Sequence, residues 1–240
     1  MTASENFLRE FHTAHPGSTA RAFARAGSYA RMAARVRRDA RVLDLACGDG
    51  PLLAELGTRA TGIDLTLAEL RVRAANARVA CARAQALPFA AHSFDVVTCH
   101  LAFMLFDDIE AVVRELARVL VTGGDFFALL GGGPTAGGDD AFHRFLALLP
   151  QRAAPRLGDP RAKSEAGWRE LFQGWQVSPF ERWELDVSGT FDQVWAFLGA
   201  SYEVDPERAD RLRDSLREAT CEWGAHIPCT AVGYFARATT

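Results

Sequence analysis

Arg41-Val42-Leu43-Asp44-Leu45-Ala46-Cys47-Gly48-Asp49-Gly50 is an aliphatic, β-branched run that closes in a glycine turn. Pro51-Leu52-Leu53-Ala54-Glu55-Leu56 follows and reads as the first turns of a helix. A strand that is apolar on both faces belongs in a parallel sheet covered on both sides. Proline suits the first helical turn, where a missing N–H is no loss. Strand, glycine turn and helix make the opening of a βα unit. Gly48 and Gly50 let a ligand approach the backbone closely, because no Cβ intervenes. The helix start beyond them offers N–H groups to a negative group. Thr61-Gly62-Ile63-Asp64-Leu65 reads as a second short strand ending in an acid. It lies about 20 residues past the first, the separation at which a carboxylate accepts from ribose hydroxyls.

These features point to an adenosine-containing cofactor. A dinucleotide fingerprint wants a third Gly or Ala where this chain has Leu53. A phosphate loop needs Gly-Lys-Ser/Thr, and the sequence has none. What remains is a turn suited to a small carboxylate and amine, with an acid for the ribose, which describes S-adenosylmethionine (SAM). Val42 through Gly50 resembles the first motif of the class I SAM-dependent methyltransferases. Ala82-Arg83-Ala84-Gln85-Ala86-Leu87-Pro88-Phe89, with Ser93-Phe94-Asp95-Val96-Val97 after it, resembles the segment that follows the third strand in that family. Val121-Thr122-Gly123-Gly124 resembles the family's Lys-Pro-Gly-Gly turn before strand five, with Lys and Pro replaced.

The alternation of patterns predicts strands near 41–46, 60–64, 79–83, 94–99 and 124–130, and helices near 51–57, 66–76 and 108–120. Such alternation argues for a parallel sheet with right-handed crossovers. Residues 176–185 read as strand six and 230–236 as a last strand, with helices over 141–149, 164–172, 191–200 and 206–223. The expected fold is α/β: a Rossmann-like, doubly wound, seven-stranded mixed sheet. The resemblance implies that its last strand runs antiparallel and that the helical segment 1–38 covers the cofactor. One domain over 1–240 is expected, with 131–175 as an insertion or a lid over the substrate.

The resemblance also assigns roles. Asp44, Ala46, Cys47, Gly48 and Gly50 would hold the methionine end, Asp64 the ribose, and Leu65 would flank the adenine. The family often has an acid followed by alanine after strand three; here Arg83-Ala84 stands there, so adenine contact falls to Ala84, Gln85 and Ala86. Tyr29 in the cover is a candidate for the methionine end. His100, at the end of strand four, is placed to touch the cofactor and to act as a general base, with an ordinary pKa near ~6.5. His15, from the cover, is a second candidate base. His100 also has a plain packing reading.

Composition bounds the partners. The formal net charge of −3 gives no general pull toward nucleic acid or an anionic membrane. The basic run Arg21, Arg25, Arg31, Arg35, Arg37, Arg38 and Arg41 reads as a solvated helix face. Five cysteines show no metal spacing, so no metal is expected. No signal peptide or bilayer-spanning run is read, which predicts a cytoplasmic protein, monomeric or a homodimer. All but one of the 27 basic residues are arginine, read as the codon bias of a GC-rich bacterial genome.

The expected reaction is methyl transfer from SAM, leaving S-adenosylhomocysteine, to a small apolar or aromatic metabolite through O or N more than C. Trp168, Trp175, Trp183, Trp195, Tyr202 and Trp223 are read either as an acceptor pocket or as core. Phe103, Met104 and Phe106 carry the same two readings. The alternatives are methylation of a carrier-bound acyl group or a protein, and a SAM-binding cyclase or binding module.

Overall fold

The computed structural model describes residues 2–72, 78–149, 157–202 and 206–240. The chain opens with three helices, α1 (Ala3–Ala14), α2 (Ser18–Phe23) and α3 (Ser28–Ala33). Thr2 starts α1 through a reciprocal cap: its hydroxyl accepts from the Glu5 N–H, and the Glu5 carboxylate accepts from the Thr2 N–H. Gly27, at φ 64°, separates α2 from α3.

The alternating core follows: β1 (Val42–Leu45), α4 (Pro51–Leu56), β2 (Ala60–Asp64), α5 (Leu67–Val72), β3 (Arg78–Cys81), β4 (Phe94–His100), α6 (Ile109–Val119) and β5 (Leu120–Pro134). The end of the helix expected over 66–76 falls outside the described residues. The second half adds α7 (Ala141–Leu148), α8 (Glu165–Leu171), β6 (Gln176–Val177), β7 (Glu181–Asp186), α9 (Phe191–Tyr202), α10 (Pro206–Ala219) and β8 (Thr230–Thr239).

The sheet has eight strands in the order β3-β2-β1-β4-β5-β8-β6, with β7 also on β8. The first five are parallel, and β8 runs antiparallel to β5. The eighth strand arises because the expected strand six is cut in two. Pro179 between β6 and β7 lacks the N–H a continuous ladder needs, and both pieces pair with β8.

Successive side chains of the central strands enter two cores. Val42, Val96, Phe127 and Leu129 join Met32, Leu52 and Phe197 on one face. Leu43, Val97, Phe126 and Ala128 join Val112, Leu116 and Trp168 on the other. Trp168 stacks on Phe126 at 5.6 Å, and Trp183 stacks on Phe235 at 5.2 Å; both tryptophans are fully buried. Trp168 and Trp183 are therefore structural, while the side chain of Tyr202 lies outside the described residues. Trp175 and Trp195 pack against the two cores, and Trp223 lies under the Arg144 guanidinium at 4.0 Å. Within 131–175, β5 runs on to Pro134 against β8 and α8 carries Trp168 into the core, while residues 150–156 lie outside the described residues. Among the described residues no helix is long and apolar enough to cross a membrane.

Candidate functional site

β1 lies between β2 and β4, with Leu45 opposite Ile63 on one side and Cys99 on the other. The strand order reverses there, so the turns leaving β1 and β4 diverge and open a crevice at the carboxyl ends. A cleft of about 1160 Å³, part of it open to solvent, fills this crevice and extends over the ends of β2 and β3. Helices α1 and α2 and the start of α3 cover it.

The floor is shaped by left-handed backbone. Ala46 (φ 53°) and Leu101 (φ 59°) are non-glycine residues just past β1 and β4. Each such residue costs about 1–3 kcal/mol and persists where neighbours over-determine it. Here the Cys47 N–H donates to the Ile63 carbonyl at 2.9 Å, and the Leu101 N–H donates to the Leu129 carbonyl at 2.8 Å. Gly48 (φ 56°) faces open space where a Cβ would stand. Gly50 (φ 85°) caps α4 and shapes the turn from behind, outside the cleft lining.

Among the described residues six carboxylates line the cleft, Glu5 and Asp107 beside the loop after β3 and Asp44, Asp49, Asp64 and Glu69 around the glycine turn. Asp44, 2% exposed, accepts from the Thr98 hydroxyl at 2.8 Å. Burial pushes its pKa up to about 7 against that hydrogen bond, and nearby Asp64 adds to the rise. Asp64 accepts from the Gly48 N–H at 2.9 Å and the Thr66 N–H at 2.7 Å. Burial raises its pKa, and the two backbone donors oppose the rise. Asp49 is raised by burial and by Glu69. Glu69, 3% exposed, accepts from the Gly17 N–H and pairs with His12 Nδ1, both at 2.8 Å.

His100 is enclosed by the cover. Its Nε2 is 2.9 Å from the Ser28 hydroxyl, and Tyr29 stacks on the ring at 4.1 Å. Burial takes its pKa down to about 3, so the ring is neutral at ordinary pH. The Tyr29 phenol is pushed above its ordinary range, first by burial and then by Asp49 and Asp44.

The structure thus gathers Tyr29, Asp44, Ala46, Cys47, Gly48, Asp64, Leu65, Ala84, Gln85 and His100 around one cleft. His15 is not brought in; it is exposed after α1, with its ring 5.2 Å from Phe11. Ala86 sits behind the lining, its N–H donating to the Arg83 carbonyl. Phe106 lines the cleft, whereas Phe103 is buried in the core and Met104 packs toward Gly131. Sequence reasoning missed the inner face of α1. Glu5, Leu8, Arg9 and His12 all line the cleft, at the i, i+3, i+4, i+7 spacing of one helical face. That signal is legible in the sequence, but its mixed polarity gives no hydrophobic stripe.

The donor set fits a cationic nucleoside. Among the described residues, Asp44, Asp49 and Asp64 form no ion pair, although they stand in one wall. Carboxylates gathered this way repel one another, and a ligand bearing a sulfonium and an ammonium relieves that. The glycine turn leaves room at the backbone, and two backbone donors hold Asp64 in place.

Fold and site together define a doubly wound α/β protein with an adenosine-cofactor cleft at its switch point. Residues 43–128 match the family described as a methyltransferase domain. An uncharacterized methyltransferase of Bacillus subtilis, YcgJ, is 29% identical over 170 residues, 64% of this chain and 64% of the relative's own length. A demethylmenaquinone methyltransferase of Thermus thermophilus is 32% identical over 151 residues, 58% of this chain and 67% of that protein. The crystal structure of the Bacillus YcgJ protein superposes with a TM-score of 0.60 at 22% identity, over 90% of this chain and 98% of that one. The chain belongs to the class I SAM-dependent methyltransferases, and SAM is its cofactor.

Proposed function

We propose that this protein transfers the methyl group of SAM to a small apolar or aromatic acceptor through an oxygen or nitrogen. The observation that carries the reading is the polarity of the cleft. The carboxylates of Asp44, Asp49, Asp64 and Glu69 share one space with the apolar groups of Leu8, Leu101, Leu105 and Phe106. The carboxylates suit a cationic cofactor and the apolar groups a desolvated acceptor.

Bound SAM supplies an electrophilic methyl carbon on a sulfonium. The chain's own contribution is positioning and exclusion of water. Asp44 and the turn from Ala46 to Gly48 hold the amino-acid end, and Asp64 orients the ribose. Leu65, Ala84 and Gln85 line the space for the base. Tyr29 and His100 form a stacked wall, with His100 oriented by Ser28. A buried imidazole with so low a proton affinity is a poor general base. We therefore assign His100 a packing and orienting role. The acceptor then brings either an acidic proton, as a phenol does, or a neutral amine lone pair.

A membrane-free, small-molecule enzyme active as a single chain or a homodimer is the working picture.

The test is isothermal titration of the purified protein with SAM and S-adenosylhomocysteine, then a screen of phenols, hydroxyquinones and amines with methyl-labelled SAM. Micromolar or tighter binding and label in a small acceptor support the reading. Absence of binding to either ligand by the folded protein overturns it. Binding without label transfer to any acceptor favours the cyclase or binding-module alternative.

A further inference from the structure

The cleft extends beyond Asp64, past Leu65, to the loop after β3, where Ala82, Arg83, Ala84 and Gln85 line it. A nucleoside whose ribose sits at Asp64 sends its base in this direction, since β3 is the next strand out. Glu5 lies at this end, 7% exposed, on an element far away in sequence. Its Oε1 accepts from Arg83 Nε at 3.1 Å and from an Arg83 terminal nitrogen at 2.5 Å. Its Oε2 accepts from the Thr2 N–H at 3.0 Å. A carboxylate offers about four lone-pair sites. Three are taken, and the fourth lies on Oε2. Asp107 shares this rim, its carboxylate accepting from the Thr2 hydroxyl and its carbonyl from the Gln85 amide, but among the described residues no cation fixes it as Arg83 fixes Glu5.

Resting on the methyltransferase reading above, we propose that Glu5 is a cofactor-specificity residue: its carboxylate accepts from the exocyclic amine of the adenine and ties α1 down over the bound nucleoside. The amine is a donor and needs an acceptor when desolvated. Arg83 holds the acid in place and balances its charge, so a carboxylate survives in a buried position without a cofactor. Because Glu5 rides on α1, base recognition and closure of the cover are one event. His12 and Gly17 reinforce that closure from the other end, both on Glu69. The helix that shields the reacting atoms is thus ordered by the part of the cofactor that does not react.

The experiment is titration of the full-length protein with S-adenosylhomocysteine and with S-inosylhomocysteine, whose carbonyl oxygen replaces the amine. Wild type, Glu5→Ala, and Glu5→Ala with Arg83→Asp are compared. Glu5→Ala should weaken S-adenosylhomocysteine about tenfold or more, as for a lost hydrogen bond to a charged group, and leave S-inosylhomocysteine unchanged or tighter. Arg83→Asp in the Glu5→Ala background should restore most of the loss, because it returns a carboxylate to the same corner from the β3 side. Amide hydrogen exchange of residues 3–14 should slow on adding S-adenosylhomocysteine to wild type, and not to Glu5→Ala.

Unchanged affinity in Glu5→Ala overturns the proposal. So does equal weakening of both ligands without rescue, which would leave Glu5 as a docking residue for α1. A wild type that binds neither ligand instead overturns the methyltransferase reading itself.

Discussion

The Gly48 N–H donates to Asp64 Oδ2 at 2.9 Å, so the glycine turn after one strand is locked to the acid ending the next. One carboxylate therefore does two jobs. In the proposed binding mode it shapes the turn that holds the amino-acid end and presents its remaining lone pairs to the ribose. Asp64→Ala should weaken SAM and S-adenosylhomocysteine by about 10- to 100-fold, the worth of one hydrogen bond to a charged group. Asp64→Asn should lose less, since an amide oxygen still accepts from the turn. Titration calorimetry checks both; a silent Asp64→Ala would leave the acid with the turn alone.

Asp44 makes cofactor binding depend on pH. Its carboxyl titrates at about 7 in the folded chain, and a cationic ligand binds the ionised form. Below that value a proton must leave before the cation enters. SAM affinity should rise with pH by up to about tenfold per unit and level off above 7. Asp44→Asn should flatten the curve at a lower affinity.

The same group acts on stability with the opposite sign. An unfolded aspartate titrates near ~3.9, so the folded chain carries the extra proton between about 4 and 7. This contribution to the stability of the ligand-free protein is full at low pH and is lost as pH rises through 7. Thermal melts of wild type against Asp44→Asn, with and without cofactor, read the difference directly.

His100 should prove dispensable as a base. Its pKa of about 3 leaves no titration between pH 5 and 9 for it to impose on the rate. His100→Asn should cost less than the ~100-fold that removal of a general base typically costs, and leave the shape of the pH–rate profile intact. A lost acidic limb in that variant would restore the base role.

Trp168 reports on the core and not on the acceptor. It is fully buried on Phe126, and its indole N–H donates to the Ala162 carbonyl at 2.8 Å. Trp168→Ala should destabilise the fold by about 3–5 kcal/mol. Cofactor affinity of the folded fraction should stay at the wild-type level. Chemical denaturation alongside calorimetry separates the two.

Gly62 is a packing glycine. A Cβ there would stand 2.6 Å from Cys47 Sγ and 2.8 Å from Leu53 Cδ1, between β2 and the glycine turn. Gly62→Ala should cost about 1–3 kcal/mol as overpacking. It should also loosen cofactor binding, because the displaced Cys47 belongs to the cleft.

The βα core was legible because its signals are local. Val42–Leu45, Ala60–Asp64 and Phe94–His100 are short apolar runs punctuated by glycine and acid, and periodicity alone places them. The cofactor wall was legible for the same reason: Asp44, Gly48 and Asp64 sit at strand ends, and strand ends of a parallel sheet share one edge. Strand six was read as one piece because a single Pro179 does not reveal that two short strands share one partner.

By itself, then, the sequence determined the parallel sheet, the glycine turn, the acid ending the second strand and the family, all carried by residues a few positions apart. Only the tertiary structure decided what meets across long separations. Glu5 meets Arg83, Ser28 meets His100, and the tryptophans meet the core instead of the cleft. The physical reason is that burial and proton affinity belong to the assembled environment. A histidine at the end of strand four reads as a base or as packing until burial beneath a serine and a tyrosine keeps it neutral. A glutamate in a first helix shows no partner in the sequence until an arginine from the loop after β3 holds it in the cleft wall.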